Sequence, residues 1–185
     1  MIMKPNIGSG DKGKTKILGC ELDKTSKLIG LIGQLDELNS FIGFSRSLLE
    51  HRRYSEFRDL DEVMGKIQSH IFLISSELVG ASIKKKIDDN EVKWLEKIII
   101  ELEKEIEPIN NFIYPTGSVP SSSIQVARAI CRRVEREAFN FSKRKRIVRR
   151  EILAYLNRLS DVLFVMARVI NKRMKIQEEV WKLED

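Results

Sequence analysis

The feature that most constrains this 185-residue chain is a repeated spacing of apolar residues by three and four positions. An α-helix has about 3.6 residues per turn, so this spacing places the apolar side chains on one helical face. The longest such stripe lies between Ser55 and Gly80, which have the residue types of an N-cap and a C-terminal stop. It consists of Phe57, Leu60, Met64, Ile67, Ile71, Ile74 and Leu78. The pattern predicts a long amphipathic helix.

Four further stripes have the same spacing and lie within residues 26–49, 88–106, 121–141 and 152–170. Asp88 or Asp89 would cap the second of them, and Pro108 would end it. No alternation typical of a strand extends over more than a few residues. The sequence therefore predicts an all-α fold, an up-and-down five-helix bundle.

The chain is long enough, and with 42% apolar residues apolar enough, to bury one continuous core, which predicts a single domain. No stretch approaches the roughly 20 apolar residues of a membrane span, and the two cysteines lack the spacing of a metal site. We expect a soluble, cytoplasmic protein with reduced thiols. Its parts would be an N-terminal loop, a helical bundle and a C-terminal tail, at residues 1–24, 25–177 and 178–185 of the domain 1–185.

The first segment outside the helical pattern is rich in glycines, hydroxyls and lysines. It reads Gly8-Ser9-Gly10-Asp11-Lys12-Gly13-Lys14-Thr15-Lys16. Glycines let backbone N–H groups approach phosphate oxygens, and lysines supply positive charge. The spacing is not that of a Walker A motif. The composition indicates a polyphosphate site, and the alternative is an N-terminal tail without a ligand.

A run of charged residues in the fourth stripe is the second candidate. Arg128, Arg132 and Glu135 share one side of the predicted helix, beside an apolar stripe of Ala127, Cys131, Val134 and Ala138. Two guanidiniums can bind a phosphate bidentately while a carboxylate fixes their geometry. The alternative is a solvated, salt-bridged helix face.

The last stripe and the junction before it carry other polar residues. Asn157, Asp161 and Arg168 lie opposite the apolar stripe, which a subunit interface would explain. His51 and His70 are the only histidines, and without a Glu-x-x-His pair a di-iron site is excluded. A basic cluster favours a solvated helix junction over a nucleic-acid patch, because no aromatic residues interleave with it; it comprises Lys143, Arg144, Lys145, Arg146, Arg149 and Arg150.

Five segments, in order along almost the whole chain, resemble the motifs of the PduO-type ATP:cob(I)alamin adenosyltransferases. They are Ser9-Gly10-Asp11-Lys12-Gly13-Lys14-Thr15, Gly33-Gln34-Leu35-Asp36-Glu37-Leu38-Asn39, Pro115-Thr116-Gly117-Ser118, Ala127 to Arg136, and Tyr155 to Asp161. Five ordered motifs are more specific than any one of them. The first departs from the family pattern, since Ile7 and Gly8 replace a threonine and an arginine.

The resemblance implies transfer of the 5′-deoxyadenosyl group of ATP to the cobalt of cob(I)alamin, with magnesium on the triphosphate. It implies a homotrimer with sites between subunits, where the N-terminal loop and a neighbour's arginine helix bind ATP. The nucleotide contacts would be Ser9, Gly10, Thr15, Lys16, Lys24, Arg132, Arg133, Glu135, Arg136 and Asn157. The catalytic group would be Asp36, Phe112, Arg128 and Arg132.

Within that group the resemblance pairs Asp36 with Arg128 across the interface. It places Phe112 below the corrin ring, where it keeps the lower axial ligand away so that four-coordinate cob(II)alamin is reduced. Without the resemblance, Phe112 reads as an ordinary core residue. A reductase and an adenosylcobalamin-dependent enzyme are implied partners, whereas membrane and nucleic acid are not expected. The altered first motif leaves a second hypothesis, an ATP-binding cobalamin escort protein without efficient transfer.

Overall fold

The fold consists of a short hairpin followed by helices. A computed structural model describes residues 7, 8, 10–17, 19–145 and 148–182, except the side chains of residues 20, 50–54, 144 and 145. Strands β1 (Lys14–Ile17) and β2 (Cys20–Asp23) form an antiparallel pair. The helical elements that follow are α1 (Lys27–Leu78), α2 (Asp89–Glu103), α3 (Val119–Lys145) and α4 (Arg150–Arg173).

The element α1 is 52 residues long and folds back on itself. Gln68 Nε2 donates to the carbonyl of Asn39 at 3.0 Å, although the two residues are 29 positions apart. A straight helix would separate them by about 43 Å. Arg46 also pairs with the carboxylate of Asp61 at 2.7 and 2.9 Å. The element therefore forms two antiparallel arms, and with α2, α3 and α4 these make the predicted bundle of five helical segments.

The helix boundaries confirm the predicted cap at Asp88 and the stop at Gly80, contradict the cap at Ser55, and add a cap at Ser26 that was not predicted. Ser26 caps α1 by accepting a hydrogen bond from the Ile29 backbone N–H, and Asp88 forms a capping box with Glu91. Gly80 follows the end of α1 with φ of 77°, as a stop requires. The predicted N-cap at Ser55 is wrong, because that residue lies inside α1.

The predicted stripes form the core. Every apolar residue of the second-arm stripe is at most 4% exposed, and the stripe of α4 is completely buried. One polar pair lies inside this core: His70 Nδ1 is 3.0 Å from the hydroxyl of Tyr155, and the imidazole packs edge-on against Trp94. Burial is the main cause that lowers the pKa of His70 to about 4. The histidine is thus a neutral core residue.

Two arginines tie the helices together. Arg149 contacts the carboxylate of Glu77 at 2.5 and 3.1 Å, which places it in a helix junction. Arg173 bridges Asp59 of α1 and Glu105 beyond α2, each at 2.7 Å. The side chains of Arg144, Lys145 and Arg146, which belong to the predicted basic cluster, lie outside the described residues. None of the helices in the described ranges is long and apolar enough to cross a membrane.

Candidate active site

The N-terminal loop folds as a β-hairpin, which the sequence analysis did not predict. Side chains alternate between the two faces of a strand. Thr15 and Ile17 are accordingly half-buried and border a cavity against α1, whereas Lys16 is exposed on the other face. Gly19 has φ of 85°, in the region that favours glycine at a tight turn. The alternation from residue 14 to 17 followed by this glycine was the signal for the hairpin.

Gly10 lies directly against Lys24. A Cβ atom on Gly10 would be 2.8 Å from the Lys24 Nζ, so only glycine lets the ammonium approach the loop this closely. The backbone N–H of Lys24 donates to the carbonyl of Gly13 at 2.8 Å, which fixes the two ends of the hairpin. The structure thus brings together two of the predicted nucleotide contacts. Ser9 lies outside the described residues.

A cavity of about 730 Å³, the N-terminal cavity, separates the hairpin from α1. Thr15, Lys24 and Asp36 line it together with apolar side chains of both arms. Asn39 also borders it, is only 5% exposed, and among the described residues its Oδ1 has no hydrogen-bond partner. Buried acceptors are nearly always paired, so a ligand donor would satisfy this one. Asn39 is a candidate that the sequence analysis missed, although it ends the second motif.

Arg128 and Arg132 line a second cavity of about 630 Å³, the arginine cavity, between α2, α3 and α4. Arg128 donates to the neutral amide of Gln125 at 2.6 Å. Burial, and then the neighbouring charge of Arg132, lower the pKa of the Arg128 guanidinium from its ordinary value. Within the described part of the chain, no carboxylate forms a direct ion pair with either arginine. Glu96, Glu103 and Asp161 also line the cavity, and the charge of Asp161 interacts with that of Arg132 without direct contact. Two guanidiniums without a direct ion pair in one cavity favour binding of an anion.

The other predicted residues of α3 and α4 fall into two sets. Arg136 is exposed, one helical turn beyond Arg132 on the same face. Arg133 instead turns towards α1 and pairs with Glu37 of the same chain. Glu135 accepts a hydrogen bond from Asn157 at 2.9 Å, which links α3 to α4.

A third cavity, the aromatic cavity of about 750 Å³, is bordered by Phe112, which is 78% exposed. Phe112 is therefore not an ordinary core residue. Trp181, Phe164 and Arg128 line the same cavity, and the Arg128 guanidinium lies 5.9 Å from the Phe164 ring centroid. Such a surface suits a large flat ligand with apolar faces. Phe164 was not among the predicted site residues, although it lies seven positions after Asn157 and hence on the same helical face.

Asn171 of α4 holds the loop that connects Phe112 to α3. Its side-chain Oδ1 accepts a hydrogen bond from the Ser118 N–H at 3.0 Å, and its Nδ2 donates to the Thr116 carbonyl at 3.1 Å. Gly117 has φ of 126°, and a Cβ atom there would lie 2.3 Å from the Asn171 amide. The third motif is thus a tightly packed loop anchor, for which glycine is required.

Arg168 does not need the subunit interface that the sequence suggested for it. Its guanidinium binds the carboxylate of Glu178 at 2.7 and 3.0 Å and the carbonyl of Glu107 at 2.7 Å. The residue is 6% exposed. Asp161, for which the sequence suggested the same interface, is exposed and borders the arginine cavity.

The residues assigned to ATP binding and to catalysis line different cavities within one chain. Thr15, Lys24 and Asp36 border the N-terminal cavity, whereas Arg128 and Arg132 border the arginine cavity. The pairing of Asp36 with Arg128 across an interface stays a prediction. No group of three or more His, Cys, Asp or Glu side chains is placed to hold a metal ion in the ranges that the structure describes.

The sequence profile described as "Cobalamin adenosyltransferase" matches residues 6–170. The chain belongs to this family. It is 38% identical to the corrinoid adenosyltransferase of Bacillus subtilis over 176 residues, which cover 94% of this chain and 90% of the relative. Its identity to the corrinoid adenosyltransferase of Mus musculus is 29% over 182 residues, or 96% of this chain and 76% of the relative.

Solved structures of cobalamin adenosyltransferases have the same fold. A phenylalanine-to-alanine variant of the PduO-type ATP:corrinoid adenosyltransferase of Lactobacillus reuteri, complexed with cobalamin and ATP, superposes with a TM-score of 0.83. The sequences are 30% identical, and the match covers 95% of this chain and 97% of that one. An arginine-to-lysine variant complexed with ATP gives the same TM-score of 0.83. The family and the fold implied by the five motifs are therefore confirmed.

Proposed function

We propose that this protein transfers the 5′-deoxyadenosyl group of ATP to the cobalt of cob(I)alamin and releases triphosphate. The observation that carries the proposal is that Arg128 borders two adjoining cavities of different chemistry. One holds two guanidiniums without a direct ion pair, suited to a polyphosphate, and the other has an exposed aromatic surface suited to a corrin ring. Membership in the cobalamin adenosyltransferase family supports this combination of substrates.

The reaction is a nucleophilic substitution at carbon. The electron pair of cobalt(I) attacks the 5′ carbon of ATP, a cobalt–carbon bond forms, and the bond from that carbon to the 5′ oxygen breaks. The electrons of the broken bond leave with the triphosphate. Arg128 and Arg132 would hold the triphosphate and stabilise the negative charge that develops on it. Magnesium bound to the phosphate oxygens would share this neutralisation.

We further propose that the site is completed by a second copy of the chain in a homotrimer. The N-terminal cavity of one subunit would face the arginine cavity of its neighbour, which would bring Lys24 and Asp36 towards Arg128 and Arg132. The separation of these residues into two cavities within one chain supports this arrangement. Mixing two impaired variants, Asp36→Ala and Arg132→Ala, should then restore part of the activity, because some sites combine two intact halves. Absence of any restoration, despite subunit exchange, would contradict a shared site.

Phe112 would occupy the space below the corrin ring and exclude the lower axial ligand. Its 78% exposure beside the aromatic cavity supports this role, since the ring is free to contact a ligand. A reductase would supply the electron for cob(II)alamin, and an adenosylcobalamin-dependent enzyme would receive the product. We place these events in the cytoplasm, consistent with the free, buried thiol of Cys131.

The direct test is anaerobic incubation of the protein with ATP, magnesium and chemically reduced cobalamin. We expect the absorption spectrum of adenosylcobalamin to appear together with one triphosphate for each cobalamin converted. If neither product forms, the proposed transfer is wrong.

The second candidate function is an escort protein that binds ATP and cobalamin without efficient transfer. The altered start of the first motif favours it, because Ile7 is 96% exposed where the family has a residue able to bind phosphate. Tight ATP binding by calorimetry, combined with negligible turnover in the anaerobic assay, would support the escort function over catalysis.

A further inference from the structure

The C-terminal segment, residues 176–182, lies across the loop that carries Phe112. Ile113 and Val180 form an antiparallel bridge. The Tyr114 N–H donates to the Glu179 carbonyl at 2.9 Å, and the Trp181 N–H donates to the Phe112 carbonyl at 2.8 Å. The main chain on both sides of this bridge is therefore fixed by hydrogen bonds from a segment far away in sequence.

The indole of Trp181 also packs against the ring of Phe112. The centroids are 6.2 Å apart and the ring planes meet at 68°, an edge-to-face arrangement. A phenylalanine as exposed as Phe112 would otherwise sample several rotamers, because little else confines its side chain. Trp181 supplies the contact that favours one orientation of the ring over the aromatic cavity.

A buried ion pair anchors the segment to the bundle. Glu178 accepts two hydrogen bonds from the guanidinium of Arg168, which is 6% exposed and also donates to the Glu107 carbonyl. Bidentate pairs of this kind fix orientation as well as distance. The same guanidinium lies 5.9 Å from the centroid of Phe164 in the wall of the aromatic cavity. Contacts therefore run without interruption from α4 through Glu178 and Trp181 to Phe112.

We propose that Trp181 is a positioning residue for Phe112, and that the pair of Arg168 and Glu178 holds Trp181 in place. This inference rests on the proposed function, since Phe112 acts on the corrinoid and Trp181 acts through Phe112. Its consequence is specific to one step. Removal of the lower axial ligand from cob(II)alamin depends on Trp181, whereas ATP binding and attack by preformed cob(I)alamin, which has already lost that ligand, do not.

The test compares Trp181→Ala, Trp181→Phe and Glu178→Gln with the control Val180→Ala, which keeps the backbone bridge. Electron paramagnetic resonance of cob(II)alamin with protein and ATP measures the fraction of four-coordinate cobalt(II). We expect about a tenfold fall in the four-coordinate to five-coordinate ratio for Trp181→Ala, the upper range for losing one edge-to-face aromatic pair. For Trp181→Phe and Glu178→Gln, this ratio should lie between that of Trp181→Ala and that of the control. The control should have the ratio of the natural protein.

Turnover provides the second readout. With cob(II)alamin and an excess of a one-electron chemical reductant, kcat of Trp181→Ala should fall by about the same factor of ten, while KM for ATP stays within about twofold. With cobalamin already reduced to cob(I)alamin, the variant should recover most of the natural rate. Thermal unfolding of each variant shows whether the bundle is intact.

The inference is overturned if Trp181→Ala retains the natural ratio of cobalt species and the natural turnover from cob(II)alamin. It is also overturned if the variant loses activity equally with both cobalt states, since Trp181 then has a general role. These results differ from failure of the proposed function, in which the natural protein itself forms no product from cob(I)alamin. If Trp181→Ala does not fold, the same criteria apply to Trp181→Phe and Glu178→Gln.

Discussion

Arg173, where helices meet, and Arg128, on the cavity face of α3, have opposite surroundings. Arg173 binds two carboxylates, and these hydrogen bonds raise the pKa of its guanidinium above the ordinary value. Arg128 has a neutral amide as its partner, and its pKa is lowered by burial and by Arg132. Arg173 is thus neutralised by direct ion pairs where helices meet, whereas Arg128 has no direct ion pair at the cavities. Arg158, in the wall of the arginine cavity, is paired with Glu96. A ligand is then the natural source of the missing negative charge.

The largest expected effect is at Arg132, which, like Arg128 in this comparison, has no direct ion pair within the described residues. Arg132→Ala should lower kcat by about 10²–10³-fold, the range for losing one charged or hydrogen-bonding group that stabilises the transition state. Its free energy of unfolding should change by less than about 0.5 kcal/mol, because no structural partner is lost. Arg58→Ala, which removes an exposed arginine paired with Glu62, is the control. Unimpaired turnover of Arg132→Ala would remove this residue from the mechanism.

The next largest effect is expected at the buried pair of His70 and Tyr155, whose polar groups are hydrogen-bonded to each other. Below pH 6.5 an unfolded histidine gains a proton, whereas burial keeps the folded pKa near 4. Stability is therefore complete above pH 6.5 and falls as the pH drops towards 4, by about 3 kcal/mol from this residue. Urea unfolding between pH 7 and 4.5 measures the loss.

The variant His70→Gln separates this contribution from those of the carboxylates. It should be less stable at pH 7 and should show a shallower decline in unfolding free energy with falling pH. An unchanged slope would show that His70 is not the group that titrates.

A substitution of Arg173 tests the arginine whose charge is compensated by carboxylates. Arg173→Met should lower the free energy of unfolding by about 2 kcal/mol, less than a fully buried ion pair because both carboxylate partners are partly exposed. Below the unfolding transition, KM for ATP should be unchanged. Chemical denaturation and steady-state kinetics on one preparation distinguish the two quantities, and a raised KM at full stability would reverse the assignment of this arginine.

The smallest expected effect distinguishes the two faces of the hairpin. Lys24→Ala should raise KM for ATP about fivefold, as expected for one partly solvated charge contact. Lys16→Ala should have a smaller effect than Lys24→Ala, because Lys16 lies on the face away from the N-terminal cavity. Lys97→Ala on α2 is the matched control. A larger effect at Lys16 than at Lys24 would place the nucleotide on the outer face of the hairpin.

The helical fold was predictable because its signal is local and repeated. Each stripe meets one face of a helix, and Ser26 and Asp88 cap helices through side chains that reach only two or three residues ahead. The error at Ser55 has a physical cause, since a cap-type residue forms a cap only where the backbone leaves the helix. The hairpin was missed because strands of four residues are too short for their alternation to stand out.

The site was predictable in residue types and not in geometry. The sequence identified Arg128, Arg132 and Arg133 as one charged run, but only the fold shows that Arg133 pairs with Glu37. Contacts between residues far apart in the sequence, such as that of Asn171 with Gly117, could not be predicted from the sequence either. Their residue types are compatible with many partners, and the tertiary structure selects one.

The position of Arg128 in the wall of two cavities has a thermodynamic consequence. Two ligands that touch one guanidinium are linked, so that each changes the affinity of the other by the same factor. Binding of the anionic ligand would alter the charge and orientation that the flat ligand meets, and the reverse must hold equally. If both substrates contact Arg128 as proposed, a substitution at this position would change the affinity for both.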